Sequence, residues 1–183
     1  MSIVTPEARM SYPHLLKPDT RFGEESAKFK VNLVIPKNAE NDKWVEEFKT
    51  QIIELVNSQW EKRPSNLHIP QLDGDKMAEK QPEYEGNWVI KAKCNPDHPP
   101  HVFLKSDKAK KVEARDICQG DWCRAEIEPR VYTKMGNGIY ILLHKVLLVR
   151  KGEPFAGQGG SGDPAAFDKY FEATESSADD MFA

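Results

Sequence analysis

The stretch Asp121-Trp122-Cys123-Arg124-Ala125-Glu126-Ile127-Glu128-Pro129-Arg130-Val131-Tyr132 decides the fold class, because it carries a period of two. Alternate counting sends Cys123, Ala125, Ile127 and Val131 to one face and Trp122, Arg124, Glu126, Glu128, Arg130 and Tyr132 to the other. A strand covered on one side needs that pattern. Lys134-Met135-Gly136-Asn137-Gly138 then reads as a turn, and Ile139 to Val149 as a strand apolar on both faces, as expected in the middle of a closed sheet.

Upstream, Lys28 to Ile35 alternates in the same way, with Phe29, Val31, Leu33 and Ile35 on one face, Lys28, Lys30 and Asn32 on the other, and Pro36 as a stop. Residues 41–60 place Trp44, Val45, Phe48, Ile52, Leu55, Val56 and Trp60 at helical spacing, with Asn41 or Asp42 as the N-cap. Residues 63–86 hold Pro64, Pro70, Gly74, Pro82 and Gly86 and read as a long irregular connection. Residues 88–93 and 101–105 are further strands, separated by the turn-forming run from Asn95 to Pro100. The expectation is a mainly β domain with one long helix, a small barrel carrying a capping helix and long loops.

At 183 residues the chain supports one domain with an appendage. Gly152, Gly157, Gly159, Gly160 and Gly162 mark a linker, so the expected division is a folded body over 1–151 and a glycine-rich linker with an acidic tail over 152–183. Asp163-Pro164 suits the start of a short helix through Phe171. Three cysteines do not make a secreted disulfide framework, and no apolar run approaches the ~20 residues needed to cross a bilayer. We expect a soluble, cytoplasmic protein without membrane attachment.

The net charge of −3 conceals three blocks: −3 over residues 1–86, +6 over 87–151 and −6 over 152–183. A basic body with an acidic end suits a protein whose body meets a polyanion; the alternative is a solubilising tail on an ordinary domain. In the basic block, Trp122, Arg124, Arg130 and Tyr132 share one strand face. Aromatic rings stack on unpaired bases and guanidinium groups neutralise phosphates, so this face is the candidate interface for single-stranded nucleic acid. Lys91, Lys93, Lys105, Lys108, Lys110 and Lys111 extend it. Glu126 and Glu128 lie on the same face and oppose that reading unless Arg124 and Arg130 pair with them. A solvated strand face with cross-strand ion pairs is the competing interpretation.

Other constellations are weaker. Cys94, His98, His101, Cys118 and Cys123 match no tight zinc knuckle, so no metal is expected. Asp73-Gly74-Asp75 with Glu79, Glu83 and Glu85 fails as a calcium loop and reads as an acidic loop, the remaining alternative being a metal-dependent nuclease. No phosphate-cradling loop, nucleophile elbow or dinucleotide fingerprint is present, so neither catalysis nor a cofactor is expected.

Several segments taken in order resemble the single-stranded DNA-binding protein family of tailed bacteriophages. They are Ser11-Tyr12-Pro13-His14-Leu15, Phe29 to Pro36, Pro129-Arg130-Val131-Tyr132, Gly138-Ile139 leading to Val146 through Phe155, and Ala165-Ala166-Phe167-Asp168 before an acidic end. The resemblance implies a five-stranded oligonucleotide-binding (OB) barrel that coats single-stranded DNA in phage replication and recombination. It also implies a flexible tail, ending here in Asp179-Asp180-Met181-Phe182-Ala183, that contacts replication or recombination proteins. Duplex DNA is a second partner to consider, because phosphate contacts do not distinguish strandedness. A rival reading is a recombination annealing or adaptor protein acting mainly through protein partners, and assembly into a homo-oligomer is left open.

Overall fold

A computed structural model describes residues 1–155. In chain order it contains β1 (Ile3–Val4), β2 (Ala8–Asp19), β3 (Lys28–Pro36), α1 (Ala39–Gln59), β4 (Leu67–His68), β5 (Asn87–Cys94), β6 (His101–Leu104), β7 (Trp122–Tyr132) and β8 (Asn137–Arg150). Five of the strands close a ring: β7 pairs with β2, β2 with β3, β3 with β5 and β8 with β7, all antiparallel, and β5 pairs with β8 in parallel. Taken as barrel strands one to five in chain order, the ring runs 1-2-3-5-4, which is the OB arrangement. The three remaining strands are short: β1 lies on β7, while β4 and β6 lie on β8.

The ring encloses Met10, Val31, Leu33, Ile90, Ile127, Ile139, Ile141 and Leu143, all buried. Cys123, Ala125 and Ile127 face inward on β7 as alternation predicts, while Arg124 and Arg130 are exposed and Trp122, Glu126, Glu128 and Tyr132 half-buried. α1 lays Val45, Phe48, Ile52 and Val56 against the barrel. It begins earlier than its sequence suggests: the cap is Asn38, whose Oδ1 accepts the Asn41 N–H at 2.9 Å. Asn41 instead donates its side-chain amide to the Pro36 carbonyl, and Asp42 accepts the Trp88 indole N–H.

Two strands contain irregularities that alternation cannot see. In β8 the register against β7 passes from Glu126↔Lys145 to Ile127↔Leu143, so His144 is an extra residue in a β-bulge. Ile139, Ile141 and Leu143 point inward before the bulge, Val146 and Leu148 after it. The run that reads as apolar on both faces is therefore a one-sided strand whose parity reverses midway, with Leu142 and Leu147 half-buried outside. β2 is absent from the sequence reading because a register slip between Ser11 and His14 erases its period.

The chain does not leave the barrel at Lys151. The Gly152 N–H donates to Asp121 Oδ1 at 3.0 Å, and Phe155 is buried with Val34, Tyr84 and Val89, the Arg9 guanidinium 4.1 Å from its ring centre. The glycine-rich linker beyond, the Asp163 to Phe171 helix and the acidic tail with Asp179, Asp180, Met181 and Phe182 lie outside the described residues. Among the described residues no helix is long and apolar enough to cross a membrane.

Gly120 has φ +92, and a Cβ there would overlap the Glu153 carbonyl. Gly120→Ala must therefore lower stability by at least about 1–2 kcal/mol, read as a lower urea midpoint; an unchanged midpoint would mean that residues 152–155 are not seated on the barrel.

Candidate nucleic-acid interface

The outward residues of the paired strands β3 and β5 carry an excess of positive charge. Lys30 stands directly opposite Lys93, Asn32 opposite Lys91, and Lys28 lies beyond at the strand start. Like charges in direct cross-strand register are destabilising, so this arrangement is not explained by folding. One carboxylate relieves it: Asp19, almost fully buried, accepts Arg21 Nη2 at 2.8 Å and also pairs with Lys30. Among the described residues neither Lys91 nor Lys93 has a carboxylate within salt-bridge distance, and partial desolvation, with the neighbouring Lys28, lowers the Lys93 pKa. Farther along, Val34 and Val89 are covered by Tyr84 and Phe155, and the Tyr84 hydroxyl accepts the Asn32 amide at 2.7 Å.

Two aromatic rings border the lysines from the side of β8. Tyr132 and Tyr140 are tilted at 51° with centres 6.5 Å apart. The Tyr132 ring lies over its cross-strand partner Gly138, where any Cβ would overlap it, so the glycine is what lets the ring lie flat. These tyrosines, Lys91, Lys93, His68 and Met77 line a cleft of about 330 Å³. The loops between β2 and β3 and between β7 and β8 carry the exposed Phe22 and Met135 at 82% and 106% exposure. In OB barrels the face of strands two and three and these same two loops hold oligonucleotides.

The residues singled out from sequence do not form one patch. Trp122 and Tyr132 stand at opposite ends of β7, roughly 33 Å apart at about 3.3 Å per residue. Lys91, Lys93 and Tyr132 come together in the cleft just described. Trp122 and Arg124 instead line a separate cleft of about 620 Å³ with Trp44, the Trp122 ring lying under the Arg150 guanidinium at 4.1 Å. Lys105 and Lys108 line a third depression with Phe103 and Leu147, Lys110 lies beside Arg150 and Lys151, and Lys111 is exposed on the same loop.

Between these ends the outer face of β7 is charge-compensated. Glu128 receives Arg130 Nη2 and His144 Nε2, both at 2.9 Å, so the arginine does pair with it. Glu126 pairs with Lys145 at 2.6 Å and not with Arg124, which faces Glu7 at 3.8 Å. Lys28, Lys30, Asn32, Tyr140 and the loop residues Arg21 and Phe22 were not singled out. The outward alternation of Lys28, Lys30 and Asn32 was the available signal, but the pairing of β3 with β5 that concentrates the charge is not written in either segment alone.

Among the described residues, the acids and cysteines singled out as alternatives have other roles. Lys37 Nζ reaches Asp73 at 2.7 Å and also pairs with Asp75, and its hydrogen bonds lower both carboxyl pKa values, so these acids anchor their loop. Cys94 and Cys123 are buried in the barrel, which pushes their thiols up to about 11 and about 12. Cys118 is exposed elsewhere.

Comparison with known proteins adds the following. The family model described as Enterobacter phage Enc34, ssDNA-binding protein, matches residues 1–182. The structure of the single-stranded DNA-binding protein from bacteriophage Enc34 in complex with ssDNA is 30% identical, with a TM-score of 0.67, over 84% of this chain and 89% of that one. The single-stranded DNA-binding protein gp2.5 of bacteriophage T7 shares the fold at 19% identity, with a TM-score of 0.63 over 87% and 97% of the two chains. Protein p50 of Acyrthosiphon pisum secondary endosymbiont phage 1 is 25% identical over 189 residues, covering 96% of this chain and 97% of its own.

The Asp19 cluster predicts an acid sensitivity. Hydrogen bonds from Arg21 and then Lys30 hold the Asp19 carboxyl well below its ordinary value of 3.8. A depressed folded-state pKa stabilises the fold above the unfolded value, and that contribution disappears as pH falls toward the folded one. Asp19→Asn should lower the urea midpoint at neutral pH and flatten its decline between about pH 5 and pH 2 relative to the unmodified chain; parallel curves for the two proteins would refute this role.

Proposed function

The chain belongs to the Enterobacter phage Enc34 single-stranded DNA-binding protein family, and from that premise we propose that it binds single-stranded DNA, with little sequence preference and without catalysis, in phage replication and recombination in the host cytoplasm. The observation that carries the reading is the direct opposition of Lys30 and Lys93 on the β3–β5 face, next to Lys91 and the Tyr132–Tyr140 pair. A lysine-lined face of this kind is costly when empty and is relieved by phosphates. The two tyrosines supply rings on which bases stack without regard to sequence. Trp122 and Arg124, with Lys105, Lys108, Lys110 and Lys111, form an outlying contact for a strand that continues past the cleft. Arg130 lies on the strand face between them and meets a phosphate by exchanging Glu128 for it.

The test compares matched single-stranded and duplex oligonucleotides in gel shifts at two salt concentrations. Single strands should bind more tightly, with a log–log salt slope of about −0.7 per phosphate neutralised. Tyr132→Ala should weaken binding by about 1–3 kcal/mol without loss of fold. Affinity indifferent to salt would refute the proposal, and full affinity in Tyr132→Ala would move the site away from this cleft.

We further propose that the acidic segment 152–183 competes with DNA and that its end, Asp179 to Phe182, contacts replication or recombination proteins. Phe155 supports the first part, because it seats the start of that segment on the outer face of β3 and β5, beside Val34 and Val89. A tethered polyanion acts there at high effective concentration. Removing residues 172–183 should tighten DNA binding at low salt, measured by fluorescence anisotropy. Equal affinity of the two lengths would eliminate self-competition.

A further inference from the structure

Tyr12 occupies the register slip of β2, with φ +50. A left-handed backbone is free to glycine and unfavourable for a bulky side chain, whose Cβ crowds the following carbonyl. Among the described residues the only other non-glycine with positive φ is Met135, at a hairpin tip.

The distortion at Tyr12 is held from outside the strand. The Tyr12 N–H donates to Gln119 Oε1 at 3.3 Å. Two residues earlier, Met10 donates its N–H to the Asp121 carbonyl and accepts the Gly120 N–H, both at 2.8 Å. The 118–121 loop therefore braces the chain on which the bulge sits. A β-bulge re-aims a side chain, and such strained positions concentrate at functional sites.

The neighbours of Tyr12 in the sheet fix its place. In register it lies between Ser11, which stands opposite Asn32, and His14, which stands opposite Lys30. Arg21 shares Asp19 with Lys30, and Tyr84 holds Asn32. The ring is half-buried. Tyr12 thus stands along the β2 margin of the lysine face, and Tyr132 and Tyr140 along its β8 margin.

We infer that Tyr12 is a stacking platform for an unpaired nucleobase, turned onto the β3–β5 face by the bulge and kept there by Gln119. The inference rests on the proposed single-stranded DNA binding and adds a second aromatic contact on the opposite side of the lysines. A strand crossing the face then meets rings at both margins and cations between them.

Tyr12→Gly separates stacking from folding, because glycine relieves the backbone while removing the ring. In the full-length chain it should keep a melting temperature at or above that of the unmodified protein. Its affinity for single-stranded DNA should fall about 5- to 150-fold, the range of one lost base–aromatic stack. The salt slope should stay unchanged, since no phosphate contact is removed. Tyr12→Phe keeps the ring and should bind as the unmodified chain does. Wild-type affinity in Tyr12→Gly overturns the role of Tyr12 alone. A lowered melting temperature in Tyr12→Gly, with affinity lost equally in Tyr12→Phe, overturns it too, because the residue would then be serving the fold. An unmodified chain that fails to bind single strands overturns this inference together with the function it rests on.

Discussion

The parallel contact between β5 and β8 is the constraint on which the rest of the molecule depends. It consists of two ladder positions, Ala92↔Ile141 and Lys93↔Leu142. With it the sheet becomes a ring, its interior sealed by Ile90, Ile139, Ile141 and Leu143. The same contact sets Lys91 and Lys93 beside the tyrosines of β7 and β8. Closure of the core and assembly of the candidate site are one event, because the inward and outward residues of β5 alternate along a single strand.

Electrostatics divides the outer surface into two kinds of region. Along the middle of β7, every carboxylate has a cation: Glu126 has Lys145, and Glu128 has Arg130, with the His144 ring as a further hydrogen-bond partner. Such exposed pairs add little stability, but they leave no net field. On the β3–β5 face, four lysines meet one buried carboxylate, and the field is uncompensated. A protein selected for stability alone would place an acid opposite Lys93. The surplus is tolerated because the hydrophobic core beneath is continuous, with Phe29, Val31, Leu33 and Ile90 all buried.

Alternation made β3, β5 and β7 legible in the sequence, and helical spacing made α1 legible, because each buries one uninterrupted face. β2 was invisible for a definite reason: Tyr12 takes a left-handed turn and the period breaks at Ser11. β8 was visible as a strand but misjudged in depth, since the bulge at His144 exchanges its faces. Of the candidate site, Lys91, Lys93 and Tyr132 could be read from local pattern. Trp122 could be read as outward-facing but not as distant, because sharing a strand face says nothing of separation along it. Lys28 and Lys30 needed the partner strand, which no segment carries by itself.

The bulge in β8 also restricts how the gene can change. The strand serves β5 and the barrel with its first half and β6 with its second, and a single extra residue reconciles the two. Losing or gaining one codon between Val146 and Leu148, beyond the bulge, would turn Leu148 outward and set the distal end out of phase with β7, whereas losing the extra residue itself would only straighten the strand, because Leu143 and Val146 would then alternate regularly. Viable descendants of this chain should therefore vary in length at their loops or at the bulge itself and hold the rest of this strand to a fixed count.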